Sequence, residues 1–437
     1  MKKLFFARAI YLSAVVVVWL LTACSIPSAP ADFIRVEDGR LLCGEANYRF
    51  VGTNFWYGVL LASEGQGGDR ERLAAELDNL HARGLDNLRV LVGAEGSTPK
   101  RSLVWPTLQT APGVYNDTIL AGLDWLLKEM GDRGMKAVLY LNNSWEWSGG
   151  YGQYLEWAGQ GSAPDPTDDG YRMYCDYVAH FSTNAAAQQL YQEHVCHIVG
   201  RTNRYTGRPY ADDPAIMAWQ LGNEPRAFAV DSLTKEGFVH WLTATAALIK
   251  ELDPHHLVSV GSEGYVGCEM DAVLYERIHE DPHIDYLTIH IWPMNWGWIT
   301  RDEMRADTLA TDTAVMARVC GCSRDYLETH LQIAERLRKP LVIEEFGYAR
   351  DGLSFDLTSS TRARDTYYKF ILGCMQDPAY SEWLAGINFW AWTGLAQPRH
   401  IRWQPYDDYC GDPAQEEQGL FSVFASDSST LQILTFR

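Results

Sequence analysis

The stretch AIMAWQLGNEP, residues 215–225, opens on apolar residues and closes on Asn223, Glu224 and Pro225. An apolar run this short, bounded by turn residues, predicts a strand buried on both faces, as strands of parallel sheets are. Runs of the same kind recur at 49–56, 86–92, 135–142, 257–262, 286–292, 341–346 and 386–392. Amphipathic segments at 69–83, 118–133, 185–200, 232–252, 323–338 and 361–375 lie between them, with a weaker one near 270–279. Eight strands alternating with helices predict an α/β fold of the (β/α)8 TIM barrel type. An open doubly wound sheet fits less well, because no Gly-x-Gly-x-x-Gly follows the first strand. Long loops rich in Gly, Trp and Tyr at 144–184, 293–322 and 393–421 are expected to wall a cleft.

In such a barrel the chemistry sits where strands end, so the polar residues at those ends carry the functional reading. Arg89 lies in the second strand, and Asn142 and Asn143 end the third, followed by Trp145 and Trp147. Asn223 and Glu224 end the fourth, Glu263 follows the fifth, and His290 and Trp292 close the sixth. The seventh carries Glu344 and Glu345, and the eighth Trp390 and Trp392. Hydrolysis of a glycosidic bond needs one carboxylic acid to protonate the leaving oxygen and a carboxylate across the sugar. Glu224 and Glu345 would face one cavity from opposite strands. Asn223 can meet a sugar hydroxyl, Arg89 can keep Glu345 ionised, and His290 can donate to substrate or orient an acid. Adjacent residues of a strand point to opposite faces, so Glu344 is expected to turn away from the cavity. Taken singly, Asn-Glu-Pro reads as a turn, His290 as a structural histidine, and Trp390 and Trp392 as barrel packing; their joint placement at strand ends favours a site.

Several motifs resemble those of glycoside hydrolase family 5: NLRVL (87–91), QLGNEPR (220–226), HIWP (290–293), VIEEFG (342–347) and NFWAW (388–392). Three more, VGTNFWYG (51–58), LNNSWEWSGG (141–150) and GDPAQEEQGLFSVFASDSST (411–430), resemble its subfamily 7, the β-mannanases. The resemblance runs from about residue 33 to the end. It implies a retaining double displacement on β-1,4-mannosidic bonds of mannan, glucomannan or manno-oligosaccharides, with Glu224 as acid/base and Glu345 as nucleophile. Arg89, Asn143, Trp145, Asn223, Glu263, His290, Trp292, Trp390 and Trp392 would contact substrate, with Trp390 as the aromatic floor. Trp292 departs from the family, many members of which carry a tyrosine there whose hydroxyl meets the nucleophile. No cofactor or metal is implied. Exo action on chain ends, a glucan substrate, and a non-catalytic sugar-binding lipoprotein are the rival readings.

The remaining features concern location. Lys2, Lys3 and Arg8 precede an apolar run from Ile10 to Ala23, too short to span a membrane and readable as a signal peptide over 1–23. Leu21-Thr22-Ala23-Cys24 resembles a bacterial lipobox, which implies lipidation at Cys24, a tether over 24–32, and a single catalytic domain over 33–437. The chain would then be exported and held to the membrane by lipid alone, as a monomer. With 37 basic against 56 acidic residues, a net charge of −19 disfavours nucleic acid and fits a neutral polysaccharide. The eight cysteines after Cys24, at 43, 175, 196, 268, 320, 322, 374 and 410, suit disulfides in an exported chain, in a pairing the sequence leaves open.

Overall fold

Eight parallel strands form one sheet: β1 (Phe50–Asn54), β2 (Asn87–Leu91), β3 (Lys136–Tyr140), β4 (Ile216–Gln220), β5 (Leu257–Ser259), β6 (Leu287–Ile291), β7 (Leu341–Phe346) and β8 (Leu384–Phe389). The computed structural model describes residues 33–100, 102–306 and 313–435; the leader, Cys24 and the tether lie outside them. Hydrogen bonding runs in the order β5-β4-β3-β2-β1-β8-β7-β6, the cyclic order of a barrel cut between β5 and β6. Separate bonds bridge that seam: Asp285 N–H to Val258 O (2.8 Å), Val258 N–H to Asp285 Oδ2 (2.6 Å) and His290 N–H to Glu263 O (3.1 Å). The expected (β/α)8 barrel is therefore present.

The helices follow in register: α1 (Arg70–His81), α2 (Asp117–Asp132), α3 (Ala185–Val199), α4 (Ser232–Leu252), α5 (Ala272–His279), α6 (Thr313–Leu337), α7 (Arg362–Gln376) and α8 (Ser428–Leu434). Asp69, Asn116, Asn184, Asp231 and Asp271 cap the first five through side-chain oxygens that accept backbone N–H groups. Helix α6 begins well before the expected residue 323. Gly321 and the β-branched Val315 and Val319 weaken the local helical signal, but Val319 is buried in the core, and packing outweighs propensity.

Two strands end earlier than their apolar runs suggest. β5 stops at Ser259 because the chain turns at Gly261 (φ +78°), where a Cβ would lie 1.9 Å from Gly222 O. β8 stops at Phe389, and Trp392–Gly394 pairs instead with Val423–Phe424. An N-terminal hairpin, Ile34–Glu37 with Arg40–Cys43, plugs the opposite end of the barrel. Its Ile34 and Leu41 pack with Phe50, Val138, Met217, Val342 and Ala385 near the strand starts.

Among the described residues the expected disulfides are not found: Cys175, Cys196, Cys268, Cys320, Cys322, Cys374 and Cys410 are unbridged thiols. Cys320 and Cys322 lie two residues apart on α6, so they project from different faces of that helix. A barrel this large buries a core that needs no such staples. Among the described residues no helix is long and apolar enough to cross a membrane.

Candidate active site

The C-terminal ends of the strands open into a cavity of about 420 Å³, and both Glu224 and Glu345 line it. Glu224 sits at φ +50°, in the left-handed region that is costly for a residue with a Cβ. Two bonds hold it there: its N–H to Gly261 O (2.9 Å), and the Ser144 hydroxyl to its carbonyl (2.5 Å). Strain of this kind clusters at functional positions and is sustained by the surrounding packing.

The two carboxylates have different neighbours. Glu345 Oε1 accepts from Arg89 Nη1 (2.5 Å), and its Oε2 from the Trp292 indole N–H (3.2 Å). The indole thus takes the place of the family's tyrosine hydroxyl, so the departure at this position keeps a donor to Glu345. Glu224 Oε1 meets His290 Nδ1 at 2.7 Å, and the Trp145 indole donates to its Oε2. His290 Nδ1 also lies 3.2 Å from Glu345 Oε2. One carboxylate oxygen of each glutamate and the histidine nitrogen all fall within 4.8 Å of one another, close to the roughly 5–5.5 Å separation of retaining glycosidases.

Arg89 organises this group. Its guanidinium is fully buried and donates to Glu345, Gln220 Oε1 (2.8 Å), Asn54 Oδ1 (3.1 Å) and Asn223 Oδ1 (2.8 Å). It stacks over Tyr140 with its central carbon 4.4 Å from the ring centroid. Glu344 departs from the expected picture. The β6–β7 register shifts between Ile289 and His290, pairing Ile289 with Ile343 but His290 with Glu345. A bulge of this kind breaks the strict alternation of faces. Glu344 therefore reaches inward beneath the cavity, where Gln220 Nε2 donates to it (2.7 Å) and Arg89 Nε lies 3.6 Å away.

Burial disfavours charge on His290, but the Glu345 and Glu224 carboxylates outweigh it and push its pKa up to about 10. Burial raises Glu224, yet the hydrogen bond and charge of His290, then Arg226, bring it below the usual carboxylate value. Glu263 is raised to about 7 by burial despite its ion pair with Arg226.

Of the other expected contacts, Asn223, Trp145, Glu263, Trp292 and Trp390 line the cavity. Asn143 stands behind it, accepting from Trp145 N–H (3.1 Å) and Asn223 Nδ2 (3.3 Å). Trp392 is not brought to the cavity. With its strand ended at Phe389, it is wholly buried and donates to Glu76 Oε2 (2.8 Å), which Arg72 pairs at 3.1 Å. Sequence reasoning missed Arg226, Glu146, Tyr171, Trp296, Gln415 and Glu416, all lining the cavity. They fall within quoted motifs or loops expected to wall a cleft, but which loop side chains face inward has no signal in periodicity.

A pair of carboxylates at this spacing, at the mouth of such a barrel, defines a glycoside hydrolase site. The comparisons agree. The family model for GH family 5 beta-mannosidase-like proteins matches residues 31–436. The glycoside hydrolase family 5 mannosidase of Rhizomucor miehei is 30% identical, covers 93% of this chain and 96% of its own, and superposes with a TM-score of 0.82. A mutant form of it has been solved in complex with mannosyl-fructose. Mannan endo-1,4-beta-mannosidase 7 of Arabidopsis thaliana is 27% identical over 387 residues, 85% of this chain and 80% of that protein. Mannan endo-1,4-beta-mannosidase 4 of Solanum lycopersicum is 30% identical over 298 residues, 66% of this chain and 67% of that one. The chain belongs to glycoside hydrolase family 5, in its β-mannosidase-like branch, and is an enzyme of the mannanase and mannosidase type.

Proposed function

We propose that this enzyme hydrolyses β-1,4-mannosidic bonds by double displacement, with Glu345 as nucleophile and Glu224 as acid/base. The single observation that carries the reading is the Glu224–His290–Glu345 cluster within 4.8 Å, at the ends of β4, β6 and β7. Mannose as the sugar rests on the family and on the names of the relatives. Glu345 attacks the anomeric carbon while Arg89 and the Trp292 N–H hold its oxygens. The proton shared between His290 and Glu224 passes along their 2.7 Å hydrogen bond to Glu224 and on to the leaving oxygen. Glu224 then takes a proton from the water that releases the sugar, returning the site to its starting state. Asn223, fixed by Arg89, and Trp390 would hold the reacting sugar. Hydrolysis of 4-nitrophenyl β-mannoside, whose leaving group is not a sugar, followed by proton NMR is expected to show the β-anomer of the released mannose first, with the α-anomer rising only by mutarotation. Initial appearance of the α-anomer would exclude the double displacement.

Glu146 and Tyr171 from the loop after β3 and Gln415 and Glu416 from the loop after β8 line the same cavity, which supports attack at chain ends over attack within a polymer. The N-terminal reading stands beside this as a proposal: processing before Cys24, lipidation of that residue, and a monomer anchored by lipid. Mass spectrometry of the mature N-terminus from a bacterial host tests it, and an unmodified Cys24 would sink it.

A further inference from the structure

Glu344 lies beneath the cavity, buried and not among the residues that line it, so its role in the reaction has to act through other side chains. Its contacts lead to Arg89. Gln220 Nε2 donates to both of its carboxylate oxygens (2.8 and 2.7 Å), and Gln220 Oε1 accepts from Arg89 Nε (2.8 Å). An ionised carboxylate only accepts and a guanidinium only donates, so the two together fix which way the Gln220 amide points. Asn54 makes the same link from the other side: its Nδ2 donates to the Glu344 carbonyl (2.8 Å), and its Oδ1 accepts from Arg89 Nη1 (3.1 Å). Two amides anchored on one residue therefore set the guanidinium, whose other bonds go to Glu345 and Asn223.

Anchoring an amide does not by itself call for an acid. A serine or a glutamine could accept the same bond without the cost of burying a charge. Both Glu344 oxygens face a donor, the arrangement of an ionised carboxylate, and Oε2 lies 3.6 Å from Arg89 Nε. One guanidinium thus carries two carboxylates, Glu344 and Glu345. The other titratable groups facing Glu344 are His290 on β6, Tyr286 just before it and Tyr275 on α5. Burial raises the Glu344 carboxyl above its ordinary value; Arg89, then His290 and the Gln220 hydrogen bond, oppose that, and the Glu345 charge adds to it. An arginine paired with Glu345 alone would draw more electron density from that carboxylate. Shared, it still holds Glu345 in place while drawing less.

We infer that Glu344 is a positioning residue of the reaction, which sets the Arg89 guanidinium through Gln220 and Asn54 and divides its charge, leaving Glu345 fixed in place yet electron-rich enough to attack. This rests on the reading of Glu345 as nucleophile given above and deepens it. The register shift between Ile289 and His290 gives Glu344 this place, since strict alternation of faces would turn its side chain away from Gln220 and Arg89.

The test follows the purified full chain on 4-nitrophenyl β-mannoside as a function of pH, with wild type, Glu344→Gln, Glu344→Asp and Gln220→Met compared. Glu344→Gln keeps the shape and removes the charge. Its kcat should fall about tenfold with KM within about threefold, since no contact with substrate is lost. With Arg89 undivided on Glu345, the nucleophile stays ionised to lower pH, so the acidic limb of the kcat/KM profile should move down by about half a pH unit or more. A residue that served packing alone would leave that limb where it is. Glu344→Asp, which keeps the charge, should hold the wild-type limb. Gln220→Met cuts the link and leaves the acid in place; it should lower kcat about tenfold, and it carries the test if Glu344→Gln does not fold. An unmoved limb in Glu344→Gln, or a wild-type kcat in Gln220→Met, would overturn the role of Glu344 while leaving the glycosidase reading intact. Failure of wild type to cleave any β-mannoside would overturn both.

Discussion

Two buried clusters in this molecule join arginine to carboxylate, with opposite stoichiometry. Beneath the loop after β7, the single carboxylate of Asp427 takes two arginines, Arg350 and Arg364 (3.0 Å to Oδ2), and the Phe424 N–H (3.0 Å). Further bonds from Arg364 to Tyr348 O (2.9 Å) and from Arg350 to Ser359 O (3.1 Å) tie that loop to α7 and α8. At the barrel mouth the balance is reversed. One arginine, Arg89, serves Glu345 and Glu344, while Glu224 and the raised Glu416 stand nearby. Where cations are in excess, nothing needs to titrate and the cluster serves as a structural tie. An excess of carboxylates in a buried cavity raises His290 to about 10 and pushes the Glu416 carboxyl above its ordinary value, and a retained proton, as on His290, is what an acid catalyst requires.

The comparison breaks if the two clusters respond alike to loss of their central carboxylate. Glu345→Ala is expected to lower kcat on mannobiose by about 10⁴-fold or more while the melting temperature stays near wild type. Asp427→Ala should do the reverse, costing about 3–5 kcal/mol in denaturant unfolding because it strands two buried guanidinium groups. Its kcat/KM below the transition should match wild type. A smaller contrast separates the two tryptophans that the sequence placed together. Trp392→Phe should destabilise by about 1–3 kcal/mol through the unpaired Glu76 acceptor and leave KM unchanged. Trp390→Phe should raise KM and leave stability within about 1.5 kcal/mol.

A further contrast is a pH dependence. The folded pKa of His290, about 10, is raised above its ordinary value near 6.5. Its stabilising contribution is therefore complete below about pH 6.5 and is lost as pH rises through about 10. In His290→Asn the stability measured between those values should be flatter than in wild type. A parallel decline in both proteins would place the proton elsewhere.

The sequence by itself determined the barrel, its strand and helix order, and most residues at the strand ends. Apolar runs of strand length and amphipathic helical spacing are local patterns, and a strand end is a fixed place in such a barrel. Glu224, Glu345, Arg89, Asn223 and His290 were legible for that reason. Tertiary structure alone decided three things. The bulge at β7 turned Glu344 inward, the early end of β8 sent Trp392 to Glu76 while Trp390 faced the cavity, and the loop after β8 brought Glu416 over the site. A bulge depends on how the neighbouring strand pairs, a strand end on which partner offers its N–H and C=O groups, and a long loop's inward face on what it packs against. Each is settled by contacts between residues far apart in the chain, and periodicity along the chain carries no record of them.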